Sequence, residues 1–315
     1  MFKQLVILTL LILMFFLIQC GHLKDAKQAF QNNNYQKTIV LCEQAVKADS
    51  SDIQALTLMA RSYRKLKKFP KALQIIVRAK KINPESVAVK KEALSIHLDY
   101  GLKFSLEKEN EKAYRQFISA FYLDSTHQEV LIHLADLSMA LGHLERAESL
   151  YEKLIEKNSK SANWHEKMEE IGNRKSKAQG FYEKALVHYK KNQLKSTKMD
   201  LDKALKTNQD HRDAQYLYFL TEGRLFLKKG SKNKLWDAIE LFGKAMTLKN
   251  DLPEPHFYMA QCYEKKDDEF VNAIDEYQKA LDLDPSGRLA PTCKKKIQAL
   301  KKRKDKLDKF WGRKK

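Results

Sequence analysis

Four cysteines and nine histidines are the side chains of this 315-residue chain best suited to metal or covalent chemistry. Cys20, Cys42, Cys262 and Cys293 include no C-x-x-C pair, so the spacing of a zinc site is missing. Cys42 and Cys262 fall in amphipathic stretches, where a free thiol behaves as a small buried hydrophobe rather than a redox centre. His127, His133 and His143 are the nearest of the histidines to one another, yet their spacing puts them on no common helix face. Asp267, Asp268 and Glu269 lie together in a predicted turn and read as a solvated loop. No glycine-rich phosphate cradle, H-E-x-x-H, G-x-S-x-G or kinase-type motif occurs. The sequence therefore predicts no catalytic residue, no metal and no cofactor. It predicts a protein that works by binding.

The elements that would present a binding surface are helical. Ten Gly and six Pro are few for this length, and Leu, Ala, Lys and Glu favour helix. The length exceeds one ordinary domain, a limit that stacked repeats escape because each unit buries a face on its neighbours. A formal net charge of +19 predicts attraction to anionic surfaces and says nothing of the fold.

The N-terminus differs in kind. Lys3 precedes an apolar run from Leu5 to Ile18, broken only by Thr9. As a helix that run reaches about 21 Å, short of a hydrocarbon core of about 30 Å, and so fits an export signal better than a spanning helix. Leu17 to Cys20, LIQC, resembles a bacterial lipobox, with Gln19 where the pattern has Gly, Ala or Ser. The resemblance implies a signal peptide over 1–19, a lipid-anchored mature N-terminus over 20–22 and lipidation of Cys20. The alternative is an uncleaved signal anchor in which Cys20 is incidental.

Residues 257–285, FYMAQCYEKKDDEFVNAIDEYQKALDLDP, read as two short amphipathic helices stopped by Pro285. Ala260 and Ala273 are small where the two must cross, and Tyr263, Ile274, Tyr277 and Ala280 continue the apolar stripe. This pattern resembles a tetratricopeptide repeat, and it recurs along the chain. Units run over 23–52, 53–86, 94–127, 128–161 and 178–211, then from about Tyr216 and from about Pro253. Residues 87–93 read as a lengthened first helix. Residues 162–177 break the register and read as an extra or extended helix, a candidate seam. GSKNK from Gly230 reads as a longer turn.

Volume carries the assignment. Ala60, Gly101, Ala135, Ala185, Gly223 and Ala260 hold the first small position, and Ala72, Ala113, Ala147, Ala238 and Ala273 the second. Helices free to choose would place Leu or Ile there, since larger side chains bury more surface. The expected fold is all-α: a right-handed α-solenoid of about seven helix-turn-helix repeats with a C-terminal capping helix. In domains, repeats 1–4 fill 23–161 and repeats 5–7 fill 178–287.

In the family it resembles, the first helices line a concave face that holds an extended peptide or a partner's helix. The resemblance implies groove positions at Gln54, Arg61 and Arg64 in the second unit. In the fifth and sixth it implies Tyr182, Tyr189, Leu217, Leu220 and Arg224, with inter-repeat packing as the alternative for the leucines. The Lys/Asn/Lys/Arg clamp of the chaperone-tail-binding subclass has no counterpart here.

After Arg288 a basic helix carries Cys293, Ile297, Leu300, Leu307 and Trp311 on one stripe. Residues 288–315 hold 13 Lys/Arg against Asp305 and Asp308, a net of +11. Repeat arrays need a polar-faced cap, which accounts for the helix but not for its charge. Lys294, Lys295, Lys301, Lys302 and Arg303 are candidates for contact with lipid headgroups or an acidic protein.

The reading is a non-enzymatic scaffold or adaptor at a bacterial cell envelope, anchored in a membrane at its periplasmic side and binding protein partners. The alternatives are a structural or surface lipoprotein, and a nucleic-acid-binding protein using its basic surface. The export signal and the lack of any nucleic-acid module argue against the last.

Overall fold

The computed structural model describes residues 22–157, 162–266 and 269–310, and no strand occurs among them. The expected signal peptide over 1–19 and Cys20, Asp267 and Asp268, and Trp311 lie outside the described residues. Helices α1 (22–31), α2 (Tyr35–Ala48), α3 (Ile53–Lys65), α4 (Phe69–Ile82), α5 (Val87–Leu106), α6 (Asn110–Leu123) and α7 (Gln128–Leu141) come first. Then follow α8 (Leu144–Lys157), α9 (Ala162–Lys190), α10 (Leu194–Thr207), α11 (Arg212–Lys229), α12 (Lys232–Leu248), α13 (Pro253–Glu264), α14 (Phe270–Leu283) and α15 (Ala290–Phe310).

The chain forms two compact units, one comprising residues up to Leu141 with Arg146–Trp164, the other Gly142–Glu145 with His165–Lys315. Within the first, α3 packs on α4 and α5 on α6, and α3 also meets α5 directly. Within the second, α11 packs on α12 and α13 on α14, while α11 meets α13. Each unit thus stacks helix pairs with first helix against first helix.

Six of the turns that fold a pair back share one device. Asn33, Lys67, Lys108 and Asn192 have φ of 57, 57, 59 and 58°, and Gly142 and Gly230 stand at 85 and 72°. One left-handed residue after the first helix reverses the chain in two or three residues. Pro70 occupies the first turn of α4, where its missing amide donor is not needed.

The predicted small positions are buried. Ala60, Ala135, Ala185 and Ala260 are fully so, as are Ala72, Ala113, Ala147, Ala238 and Ala273. At Gly101 an added β-carbon would come within 2.9 Å of the Phe117 ring, so the glycine is what lets α6 approach α5. In the first unit Ile39, Leu56, Ile76 and Ile96 fill the space between helices; in the second, Leu201, Leu220, Phe242 and Met259 do so. Cys42 and Cys262 lie in these cores, where burial pushes both thiols up to about 12.

Of the two alternatives for residues 162–177 the extended helix is the one found: they run on into 178–190 as the 29-residue α9, since no Gly or Pro punctuates the junction strongly enough to break it. One boundary differs from the expectation. The turn at Gly230 is shorter than GSKNK suggests. Ser231 takes the cap position and Lys232 already begins α12, with Lys234 pairing to Asp237 one turn on at 2.7 Å.

Candidate functional site

The second unit holds a cavity of about 800 Å³ lined by the turn before α10 and by α11 and α13. Asn192, Lys195, Arg224, Lys228, Lys229, Tyr258, Gln261 and Lys265 are among its walls. Among the described residues that line it, none is Asp or Glu, so its potential is positive.

Arg224 is the pivot. Its guanidinium carbon lies 4.8 Å from the centre of the Tyr189 ring and 4.7 Å from that of Tyr258. One of its nitrogens donates to Asn192 Oδ1 at 2.6 Å. Three first helices therefore converge on one cation: α9 brings Tyr189, α11 brings Arg224, and α13 brings Tyr258. The turn residue Asn192, held left-handed, presents its side-chain oxygen to the same group. A planar guanidinium held between aromatic faces is oriented without being neutralised.

The surrounding aromatics are deep. Burial pushes the Tyr189 and Tyr182 phenols above their usual range, Arg224 opposing this at Tyr189. Tyr182 lies against the His211 ring, centroids 5.0 Å apart. The Tyr216 hydroxyl is buried without a hydrogen-bond partner in the protein, and burial pushes its phenol up as well. Lys265 is bound to the carbonyl of Leu227 at 3.1 Å, which fixes one wall of the cavity.

Of the expected groove residues in this unit, Tyr189 and Arg224 come together and Tyr182 lies nearby on α9. Leu217 and Leu220 do not belong with them. Both are buried in the core, packed with Ala214, Leu227 and Phe242, because α11 turns that stripe toward α12 and leaves Arg224 and Leu225 on the open side. Lys195, Lys228, Lys229, Tyr258, Gln261 and Lys265 were not anticipated. One signal could have found Gln261: it follows the small Ala260 as Arg224 follows Gly223 and Arg61 follows Ala60.

In the first unit the predicted cations are already engaged. Arg61 Nε meets Glu92 at 2.7 Å and Arg64 Nε meets its other oxygen at 2.8 Å, while Arg64 also reaches Asp99 at 2.6 Å. Glu92 is only 3% exposed, so the two arginines serve to neutralise a buried carboxylate on α5. Gln54 is exposed and accepts from Lys27 at 2.9 Å.

On α15, Lys294, Lys295, Lys301 and Lys302 are exposed, whereas Arg303 sits 4.5 Å over the Phe270 ring. Among the described residues no group of three His, Cys, Asp or Glu could hold a metal ion, and no helix is long and apolar enough to cross a membrane.

Residues 29–91 and 106–171 match the family model of the tetratricopeptide repeat. No curated protein matches the chain. Solved structures similar to it include the TPR domain of P58(IPK), at 14% identity over 91% of this chain and 99% of that one, with a TM-score of 0.36. Another is a tetratricopeptide repeat protein from Parabacteroides merdae ATCC 43184, at 14% identity over 90% and 98% with a TM-score of 0.37. YrrB, described as a TPR protein with an unusual peptide-binding site, is 17% identical over 70% and 97%, with a TM-score of 0.28. Over residues 29–91 and 106–171, less than half of its length, this chain is similar to the tetratricopeptide repeat family, whose members in general mediate contacts between proteins.

Proposed function

We propose that the chain is a non-enzymatic adaptor that grips an extended, acidic segment of a partner protein in the groove between α9, α11 and α13. The observation that carries this is Arg224, held between Tyr189 and Tyr258 on the wall of a cavity rimmed by Lys195, Lys228 and Lys229. A peptide carboxylate placed there meets an oriented guanidinium and several flexible ammonium groups, and its apolar neighbours meet aromatic faces. Aromatic and Arg anchors within a concave surface are where binding energy concentrates.

The adaptor is anchored at a bacterial cell envelope through lipidated Cys20. Support for this part is in the sequence alone: the short apolar run from Leu5 to Ile18 and the LIQC that ends it. An anchored adaptor gathers partners on one membrane face, which raises their local concentration without new contacts.

Photo-cross-linking in cells tests the groove. A photoreactive residue at Lys228, on the rim, should capture one protein that the same group at Val77, exposed on α4, does not. Arg224→Ala should abolish the capture. Equal capture at both positions, or capture insensitive to Arg224, contradicts the reading.

A further inference from the structure

The capping role of α15 ends before the helix does. Cys293, Ile297 and Leu300 are buried in a cluster with Phe270, Ala273 and Tyr277 of α14. Beyond Leu300 the helix continues from 301 to 310, and every one of those residues is exposed except Asp308, which is half-buried. Within that stretch Arg303 still lies 4.5 Å over the Phe270 ring, but the helix has left the buried cluster. It does carry the apolar stripe onward into solvent: Leu307 is 37% and Phe310 78% exposed, against 4% for Leu300.

The stripe emerges among cations. Residues 301–310 hold Lys301, Lys302, Arg303, Lys304, Lys306 and Lys309 against Asp305 and Asp308. At about 100° per residue, Leu307 and Phe310 lie within about 60° of each other. Lys302 and Lys306 flank them on the Phe310 side and Lys304 on the other, while the two aspartates fall beyond Lys304. An exposed apolar edge bordered by lysines is the layout of a helix that lies on an anionic surface.

We infer that the tip of α15, residues 301–310, docks on the anionic headgroups of a lipid bilayer. Charge complementarity favours the bilayer over an acidic protein, and so does the choice of cation. Five of the six basic residues are Lys, a residue depleted in protein interfaces, where rigid bidentate Arg is preferred. Beside a membrane each lysine can lay its aliphatic stem along the acyl boundary and raise its ammonium to the phosphates. Phe310 supplies an aromatic that inserts at the same depth.

Hydrogen exchange on the full chain tests this. The protein is reconstituted into vesicles of phosphatidylcholine alone, or with phosphatidylglycerol at about 30 mol%. Amides of 301–310 should exchange more slowly on the anionic vesicles than on the neutral ones, and high salt should remove the difference. Lys302→Gln with Lys306→Gln should weaken the contact roughly thirtyfold, returning exchange to the neutral-vesicle rate, and Phe310→Ser should also raise it. All three positions are exposed or solvent-facing, and an unchanged circular dichroism melt shows that the fold survives. Equal exchange on both vesicle compositions overturns the proposal. So does slowing by added polyglutamate but not by phosphatidylglycerol, which would identify an acidic polypeptide as the partner.

Discussion

A β-carbon built on Gly223 would lie 2.5 Å from Cε1 of Phe242, inside the distance that real contacts keep. The Phe242 ring is fully buried and presses directly on the backbone of α11. The same relation joins Gly101 to Phe117 in the other unit. Gly223→Ala and Gly101→Ala should therefore each cost about 1–3 kcal/mol through overpacking. Phe242→Leu alone should destabilise, but in the Gly223→Ala background it should recover part of the loss, so the pair is non-additive. Urea unfolding of the four proteins measures this. Additive effects would mean that the ring and the glycine do not meet.

Glu92 is the most buried carboxylate of the first unit's described core, and it is held by Arg61 and Arg64. Glu92→Ala leaves Arg61 without its carboxylate and Arg64 with Asp99 alone, and should cost about 3 kcal/mol at most, because Arg61 is 39% exposed and Arg64 keeps a partner. The loss should appear in the first unit's unfolding transition. A melt equal to that of the parent would show that solvent already satisfies these arginines.

Lys67 and Lys108 hold left-handed backbone angles that a β-carbon disfavours. Each is exposed, and their equivalents elsewhere are Asn or Gly. Lys67→Gly and Lys108→Gly should each stabilise the protein by about 0.5–1 kcal/mol, the relief of strain exceeding the added freedom of the unfolded chain. Thermal unfolding checks the sign; a lower midpoint would contradict it.

His97 gives the first unit a pH dependence. Burial holds its imidazole below the ordinary 6.5, and Lys80 works in the same direction, while the 2.9 Å hydrogen bond with Gln116 opposes them without winning. Above 6.5 both folded and unfolded chains leave the ring neutral, so this group contributes no slope. As pH falls below 6.5 the unfolded chain takes up a proton that the folded unit resists, and stability declines until the folded value is passed. Melting at about pH 7.5 and about pH 5 should show a loss that His97→Gln reduces. Identical losses in the two proteins would mean that other groups carry the whole effect.

What the sequence made legible follows from what each feature depends on. Ala60, Gly101 and Gly223 are readable because a close helix crossing tolerates only small residues, whatever surrounds them. Cys42 and Cys262 are readable for the same local reason. The burial of Leu217 and Leu220 was readable only as one of two alternatives, because both faces of α11 are apolar along that stretch, and only the partner α12 decides which one is covered. The engagement of Arg61 and Arg64 was not readable. Their partner Glu92 lies 31 and 28 residues further on, on another helix, and periodicity does not report such pairings. Residues 162–177 read correctly as helical, but whether a helix is separate or continuous depends on a break that single residues mark only weakly.

The most direct test of the binding account is a titration of the full chain with a fluorescein-labelled oligoglutamate peptide, followed by anisotropy at low salt. The wild-type chain should bind it, and added salt should weaken the binding steeply. Arg224→Ala, which removes the cation between Tyr189 and Tyr258, should weaken it about tenfold or more. Lys67→Gly, remote in sequence and in the other unit, should leave it unchanged. An affinity indifferent to Arg224 would contradict the account, for the positive cavity would then attract anions without recognising them.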